Sequence, residues 1–212
     1  AWSDPDAVRP WPQARGLGRS EPLPVSLSTG SPATLDVDLG LPAILRLTVV
    51  DGDGQPSPGL VHVQHAVGHP DPAPADDRLG EDRPRGGTRV AAWVLDGAMD
   101  VEVVPGTYDV VGHRGFRHEM DRHEGVELGA GQVHELTLTL PQVVDTPGVL
   151  SMDPHNHASP SLDGECTVQH RLATAAVGDT QLHVATDHDH IADYRPAAAA
   201  MGESFSASSR GR

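Results

Sequence analysis

Histidine and aspartate residues are concentrated in two short runs near the end of the 212-residue chain. The first run covers residues 153–157, with the letters DPHNH, and is followed by Asp163. The second run covers residues 187–190, with the letters DHDH. Imidazole nitrogens and carboxylate oxygens together are ligands for Zn, Mn or Fe ions. The two runs therefore predict a divalent-metal site.

The two runs fall at the ends of predicted β-strands. Residues 149–157 and 181–186 have strand-like composition, and a helix between them is predicted to end at Gly178. Alternate residues of a strand share a face, so His155 and His157 are predicted to point to the same side. A strand–helix–strand order predicts parallel pairing, and reactive groups collect in the loops at the carboxyl ends of parallel strands.

The order of these features is more specific than any single motif. In a chain with 13 His among 212 residues, roughly one His-x-His pair is expected by chance. A strand, His-x-His, an aspartate six residues on, a helix, a second strand and then Thr-Asp-His is a much rarer combination. Pro154 departs from it, because proline removes a donor from the strand ladder and predicts a disturbed first strand.

Residues 31–141 have the pattern of an all-β domain. Short apolar runs alternate there with turn signals rich in Gly, Pro and Asp. About seven short strands at this spacing predict an all-β, immunoglobulin-like sandwich. The strands are predicted at residues 34–39, 43–50, 61–67, 89–95, 99–104, 107–112 and 133–140.

Outside this region the chain divides into two tails and a second domain. Residues 1–30 and 202–212 lack apolar periodicity, and both are predicted to be disordered. Residues 148–201 contain the strand–helix–strand pattern and form the second predicted domain, behind a short linker. The His- and Glu-rich stretch at residues 118–124 could bind a cation, but a solvated loop is the better interpretation.

The bulk composition excludes several partners. The formal net charge of −15 repels phosphate backbones, so no nucleic-acid partner is expected. Cys166 is the only cysteine, which excludes an intrachain disulfide. No apolar stretch reaches the ~18 residues of a membrane span. The chain begins at Ala1 without methionine, so we expect a removed signal segment or a trimmed start, and of the possible locations an extracytoplasmic or secreted one.

Three segments of the all-β region resemble the carboxypeptidase-regulatory-like or transthyretin-like β-sandwiches. They are TVVDGDGQPSPGLVHV at residues 48–63, VPGTYDVVGHRG at residues 104–115 and GAGQVHELTLTL at residues 129–140. In that family the module is usually a non-catalytic appendage. The resemblance implies the same role for this sandwich.

The two metal-binding runs also resemble a known family. The letters DPHNHASPSLDGE at residues 153–165 and HVATDHDHIADYRP at residues 183–196 look like the opening of the PHP superfamily, most like its carbaryl-hydrolase-like branch. In that branch a β-sandwich often precedes the catalytic domain. The resemblance implies a β-sandwich followed by the first βα units of an incomplete PHP-type β/α barrel. It also implies a metal-dependent hydrolase acting on a phosphoester, carbamate or ester bond of a small-molecule substrate.

The resemblance assigns metal ligands and supporting residues, and no catalytic side chain beyond them. Asp153 and Asp187 match supporting positions that orient a histidine or a strand end. The full-length family uses two or three divalent ions, Zn, Mn or Fe. The matching ligands are His155 and His157 on the first barrel strand, Asp163 in the following loop and His188 after the second strand.

The family takes further ligands from later strands. A closed barrel of this kind needs on the order of 200 residues, whereas residues 149–212 are all that follow the linker here. We therefore expect a C-terminally truncated and inactive fragment of a metallohydrolase. Two alternatives stay open: a non-catalytic β-sandwich binding module with a vestigial metal-binding segment, and a simple metal-binding protein.

Overall fold

The structure, a computed structural model, describes residues 7–8, 25–26, 30, 34, 36–37, 39–72 and 88–202. Most of the two predicted tails lies outside these residues, although two short strands of the first tail pair with each other. The strands are β1 (Ala7–Val8), β2 (Val25–Ser26), β3 (Ala43–Val50), β4 (Gly59–His65), β5 (Thr88–Val94), β6 (Ala98–Val103), β7 (Gly106–His113), β8 (Asp121–Leu128), β9 (Val133–Thr139), β10 (Met152–Asn156) and β11 (Leu182–Ala185). The helices are α1 (Val168–Val177) and α2 (Arg195–Ala200).

Strands β3 to β9 form two sheets that pack face to face. In the three-stranded sheet, β3 lies at the centre, antiparallel to β6 and parallel to β9. The four-stranded sheet has the order β5-β4-β7-β8 and is antiparallel throughout. Buried apolar side chains of both sheets form one continuous cluster. The prediction of an all-β sandwich is therefore confirmed.

The alternation of side chains along β3 explains how the sandwich forms. Leu45, Leu47 and Val49 are fully buried in the core. Between them, Arg46 points outward and pairs with Asp100 of β6 at 3.0 Å. Burying each of these aliphatic side chains contributes about 1.5–3 kcal/mol relative to leaving it exposed. The same alternation occurs in β9, where Leu138 is fully buried between exposed neighbours.

Two predictions about the strands are wrong. The predicted strand at residues 34–39 is absent, because the residues described there, 34, 36–37 and 39, have no strand conformation. The stretch at residues 118–124, interpreted as a solvated loop, instead runs into strand β8. Only Val126 and Leu128 of β8 are buried, so most of the strand lacks the apolar alternation that the prediction required.

Strand β8 is held in place by a buried carboxylate of its neighbour. Asp109 of β7 is buried and accepts hydrogen bonds from the Gly125 backbone N–H at 3.1 Å and from Arg122 at 2.9 Å. The register of the β7–β8 pair shifts at the same place. Charged outward residues are typical of an edge strand, where they prevent pairing with another chain.

Strands β10 and β11 form a separate parallel sheet connected through α1. The helix begins after Thr167, whose hydroxyl accepts from the His170 N–H at 3.2 Å, and ends at Gly178 as predicted. The register of β10 against β11 shifts between Asp153 and Asn156, which confirms the disturbed strand predicted at Pro154. Within the described part of the chain this parallel sheet has two strands, and a larger barrel stays a prediction.

Helix α1 lies against the sandwich as well as against its own sheet. It contacts β4 and β5, and the ring of His170 stacks on Trp93 of β5 with 6.2 Å between centroids. Neither α1 nor α2, the helices of the described chain, has the length and apolar character needed to cross a bilayer. The extracytoplasmic location stays a prediction.

Candidate metal centre

Strands β10 and β11 end side by side, and hydrogen bonds hold their ends together. The Asn156 N–H donates to Thr186 Oγ1 at 2.9 Å, and the Thr186 N–H donates to the Asn156 carbonyl oxygen at 2.9 Å. One residue further on, the Asp187 carboxylate accepts from the Ala158 N–H at 2.8 Å. The two loops that carry the predicted ligands are therefore fixed relative to each other.

Three of the four predicted ligands converge between these loops. They are His157, Asp163 and His188, which we call the two-loop cluster. His157 Nδ1 lies 3.1 Å from Asp163 Oδ1, and His188 Nε2 lies 3.4 Å from Asp163 Oδ2. One ligand atom from each residue lies within 4.8 Å of the other two. Asp163 is thus central, with one carboxylate oxygen facing each imidazole.

His155 lies beside the two-loop cluster but is not part of it. Its ring centroid is 4.9 Å from that of His157, with the planes tilted by 38°. His155 falls within the irregular part of β10, between the paired residues Asp153 and Asn156. A bulge of this kind changes the direction of a side chain. The rings of His155 and His157 are therefore adjacent, but the two side chains do not point in the same direction, as they would on a regular strand.

The two predicted supporting aspartates bond to groups other than histidine rings. Asp153 accepts from the backbone N–H of His155 at 3.2 Å. Asp187 accepts from the hydroxyl of Tyr194 at 2.9 Å, in addition to its bond to the first loop. Burial and, next, the Asp187 carboxylate raise the pKa of Tyr194, so the hydroxyl stays protonated and donates. Asp187 therefore links the first loop to the start of α2.

Ser161 is a site residue that was missed in the sequence. Its buried hydroxyl donates to Asp163 Oδ1 at 2.5 Å and accepts from the His188 backbone N–H at 2.9 Å. The same oxygen lies 3.3 Å from His157 Nδ1. One hydroxyl thus contacts all three residues of the two-loop cluster. Because serine is common in turns for many reasons, its spacing from Asp163 carries no signal of this role.

The fold of the first loop depends on a close backbone approach and on α1. A Cβ atom at Gly164 would collide with the carbonyl oxygen of Ala158, so the loop closes only with glycine there. From α1, Arg171 Nε donates to the His157 carbonyl oxygen at 3.0 Å. These two contacts fix the backbone that carries His157 and Asp163.

The electrostatics of the two-loop cluster favour an ionised carboxylate. The hydrogen bond from Ser161, followed by the nearby His157 and His188, holds the pKa of Asp163 below its usual range. The Asp163 and His188 side chains are 55% and 61% exposed, and that of His157 is 17% exposed. An accessible carboxylate between two imidazoles is a set of groups that binds divalent metal ions.

Replacing Ser161 with alanine is expected to raise the pKa of Asp163 towards its ordinary value. The reason is that the hydrogen bond from Ser161 is the largest of the interactions that lower this pKa. An NMR titration of the Asp163 side-chain carbon measures the change. Ser159→Ala, two residues earlier in the same loop, is the control and should leave the titration unchanged. Identical titrations of Asp163 in the wild-type chain and the Ser161→Ala variant would contradict this assignment.

Two solved structures are distantly similar to the chain. No protein-family model matches the chain, and no curated protein matches it. Among solved structures, the TIE protein of Bacillus anthracis is 13% identical at a TM-score of 0.32, over 48% of this chain and 17% of that protein. The minor pilin of Streptococcus agalactiae is 18% identical at a TM-score of 0.28, over 53% and 49%. The chain thus spans half or less of these proteins, and such low scores support no statement about its function.

Proposed function

We propose that the two-loop cluster binds a divalent metal ion and that the chain derives from a metal-dependent hydrolase of the PHP type. The observation that carries the proposal is the convergence of His157, Asp163 and His188 where two parallel strands end. Parallel α/β folds place their active sites in the loops at these strand ends. The resemblance of both runs to the opening of a PHP domain supports the same class of site. The sandwich, by its own resemblance, is proposed as a carboxypeptidase-regulatory-like appendage.

The donor atoms fit an ion such as Zn²⁺. Zn–N bonds of about 2.0–2.1 Å and Zn–O bonds of about 2.0–2.2 Å, set at tetrahedral angles, separate neighbouring ligand atoms by about 3.3 Å. His157 Nδ1 and His188 Nε2 lie 3.1 Å and 3.4 Å from two different oxygens of Asp163, and the three donor atoms lie within 4.8 Å of one another, so they would draw closer together around a shared ion. Three protein ligands leave a position free for water or substrate, as in catalytic rather than structural zinc sites. His155 lies beside this site, with its ring centroid 4.9 Å from that of His157.

The residues of the chain would prepare this site for hydrolysis. A divalent ion lowers the pKa of bound water and polarises the bond that is attacked. Ser161 orients Asp163 and keeps it ionised, since its hydroxyl donates to the carboxylate. Asp187 joins the two loops by accepting hydrogen bonds from the Ala158 N–H and the Tyr194 hydroxyl. The exposed side of His188 leaves room for a small-molecule phosphoester, carbamate or ester substrate.

Metal binding and turnover are tested separately on the full chain. The metal-depleted protein is titrated with Zn²⁺ and with Mn²⁺ by calorimetry, and each loaded form is assayed with bis-p-nitrophenyl phosphate and p-nitrophenyl acetate. We expect one bound ion that is lost in His188→Ala, together with turnover that depends on that ion. Binding without turnover would refute the hydrolase and keep the metal site. Binding that is unchanged in His188→Ala, or no binding at all, would refute both.

A non-catalytic binding module is the second candidate function. Two observations favour it: the larger of the two hydrophobic cores belongs to the sandwich, and two of the three cluster side chains are more than half exposed rather than enclosed in a cleft. In that case an ion would only link the loops after β10 and β11. Zn²⁺ would then raise the melting temperature without any turnover.

A further inference from the structure

Two histidines of the sandwich meet far from the two-loop cluster in sequence. His62 of β4 and His113 of β7 place their Nε2 atoms 3.3 Å apart. Their rings are nearly parallel, at 10°, with 5.3 Å between centroids. The Nδ1 atom of His62 is buried and has no hydrogen-bond partner in the described part of the chain. Of the two ring nitrogens of His62, Nε2 therefore makes the polar contact, and its partner is His113.

The register of the four-stranded sheet brings these rings together. In the antiparallel β4–β7 pair, His62 lies opposite Val111 and His113 lies opposite Leu60. The two histidines are thus diagonal neighbours on one face of the sheet, within reach of long side chains. This is the outer face, because the adjacent residue Val61 is fully buried in the core. Both histidine residues are partly exposed to solvent.

We propose that His62 and His113 bind a late first-row transition metal ion as a two-imidazole site, separate from the two-loop cluster. Two Zn–N bonds of about 2.0–2.1 Å at the tetrahedral angle separate their nitrogens by about 3.3 Å. The Nε2 atoms stand at that separation without any movement of the strands. Imidazole ligands suit Ni, Cu and Zn, and water would complete the coordination.

The protonation of the pair is compatible with this role. A metal ion binds the neutral imidazole, and the two facing Nε2 atoms share one hydrogen in their present contact. Burial and then the neighbouring His113 lower the pKa of His62, and burial lowers the pKa of His113. Both rings are therefore neutral at pH 7. Binding an ion at both Nε2 atoms requires the ring that carries the shared proton to hold it on Nδ1 instead, so both ligands stay neutral and no net proton is released at pH 7. Affinity falls at lower pH, where protonation of either imidazole competes with the ion.

The test uses Ni²⁺ and a full-length chain that lacks the two-loop cluster. In the triple variant His157→Ala, Asp163→Ala and His188→Ala, calorimetry should still detect one bound Ni²⁺. Adding His62→Gln or His113→Gln should weaken this binding on the order of 100-fold, because the second imidazole acts at a high effective concentration. His65→Gln is the matched control on the same strand and should bind like its parent.

A second measurement needs only the triple variant and does not depend on the folding of the His62→Gln and His113→Gln variants. Ni²⁺ is paramagnetic and should broaden the NMR signals of the His62 and His113 rings in the triple variant before those of other histidines. The proposal is overturned if the triple variant binds no Ni²⁺, if His62→Gln leaves its affinity unchanged, or if other rings broaden first. The pair would then be a hydrogen-bonded contact between strands.

Discussion

Replacing Asp163 with asparagine is expected to lower the affinity of the two-loop cluster for Zn²⁺ at least about 100-fold. Loss of a residue that only orients a metal ligand typically costs 10–100-fold in affinity, and Asp163 is itself a ligand in the proposed site. Its carboxylate faces both His157 and His188, so it supplies the charge that offsets the ion and the geometric link between the imidazoles. Asparagine keeps the size of the side chain and removes the charge.

Zn²⁺ titration calorimetry on the wild-type chain and on Asp163→Asn measures this change. Asp145→Asn is the matched control, since Asp145 is exposed and lies before β10. Measuring both variants in the His62→Gln background removes any contribution from the proposed sandwich site. Equal Zn²⁺ affinities for Asp163→Asn and Asp145→Asn would show that the cluster does not ligate the ion through this carboxylate.

Replacing Asp179 with asparagine is expected to lower the free energy of unfolding by about 3 kcal/mol. Asp179 is buried just after α1 and accepts from Arg117 Nε at 2.7 Å. Arg114 and His118 approach the same carboxylate at 3.6 Å each. The mutation leaves mostly buried guanidinium groups without their counter-charge, which is the costly way to break a buried ion pair. Asparagine tolerates the positive φ of 57° at this position.

Urea unfolding followed by circular dichroism measures the loss. Asp193→Asn is the control, because Asp193 also pairs with an arginine but at a solvent-exposed position, with half of its side chain exposed. Hydrogen bonds from Arg195 lower the pKa of Asp193 to about 2, yet solvent screening makes exposed pairs of this kind contribute little to stability. We expect no measurable change for this variant. If Asp179→Asn were no less stable than the control, the contacts of Asp179 with Arg114, Arg117 and His118 would not stabilise the packing of α1 on the sandwich.

The sandwich strands could be predicted where apolar and polar residues alternate and the partner strand is built the same way. Leu45 and Leu47 in β3 are examples, and both are fully buried. Strand β8 could not be predicted, because its first residues are held by Asp109 of another strand through side-chain bonds. Such long-range bonds leave no local pattern. Conversely, apolar and polar residues alternate over residues 34–39, yet the described residues there, 34, 36–37 and 39, are not in a strand. Alternation specifies which side chains share a face, but it does not supply a neighbouring strand to pair with.

The convergence of the metal-binding residues could be predicted because parallel strands bring their carboxyl ends to one edge. His157, Asp163 and His188 follow this rule. The direction of the His155 side chain could not be predicted, since it depends on the irregularity of β10 around Pro154. The role of Ser161 also lay beyond the sequence, because its hydroxyl meets His188 only after two separate loops have folded.

The most direct test of the proposed metal centre is anomalous X-ray diffraction at the zinc edge from crystals of the full chain grown with Zn²⁺. We predict a peak within about 2.0–2.2 Å of nitrogen atoms of His157 and His188 and of an oxygen atom of Asp163. A zinc-loaded crystal with no peak at these three residues would contradict the account. In that case the loops after β10 and β11 would meet for structural reasons alone.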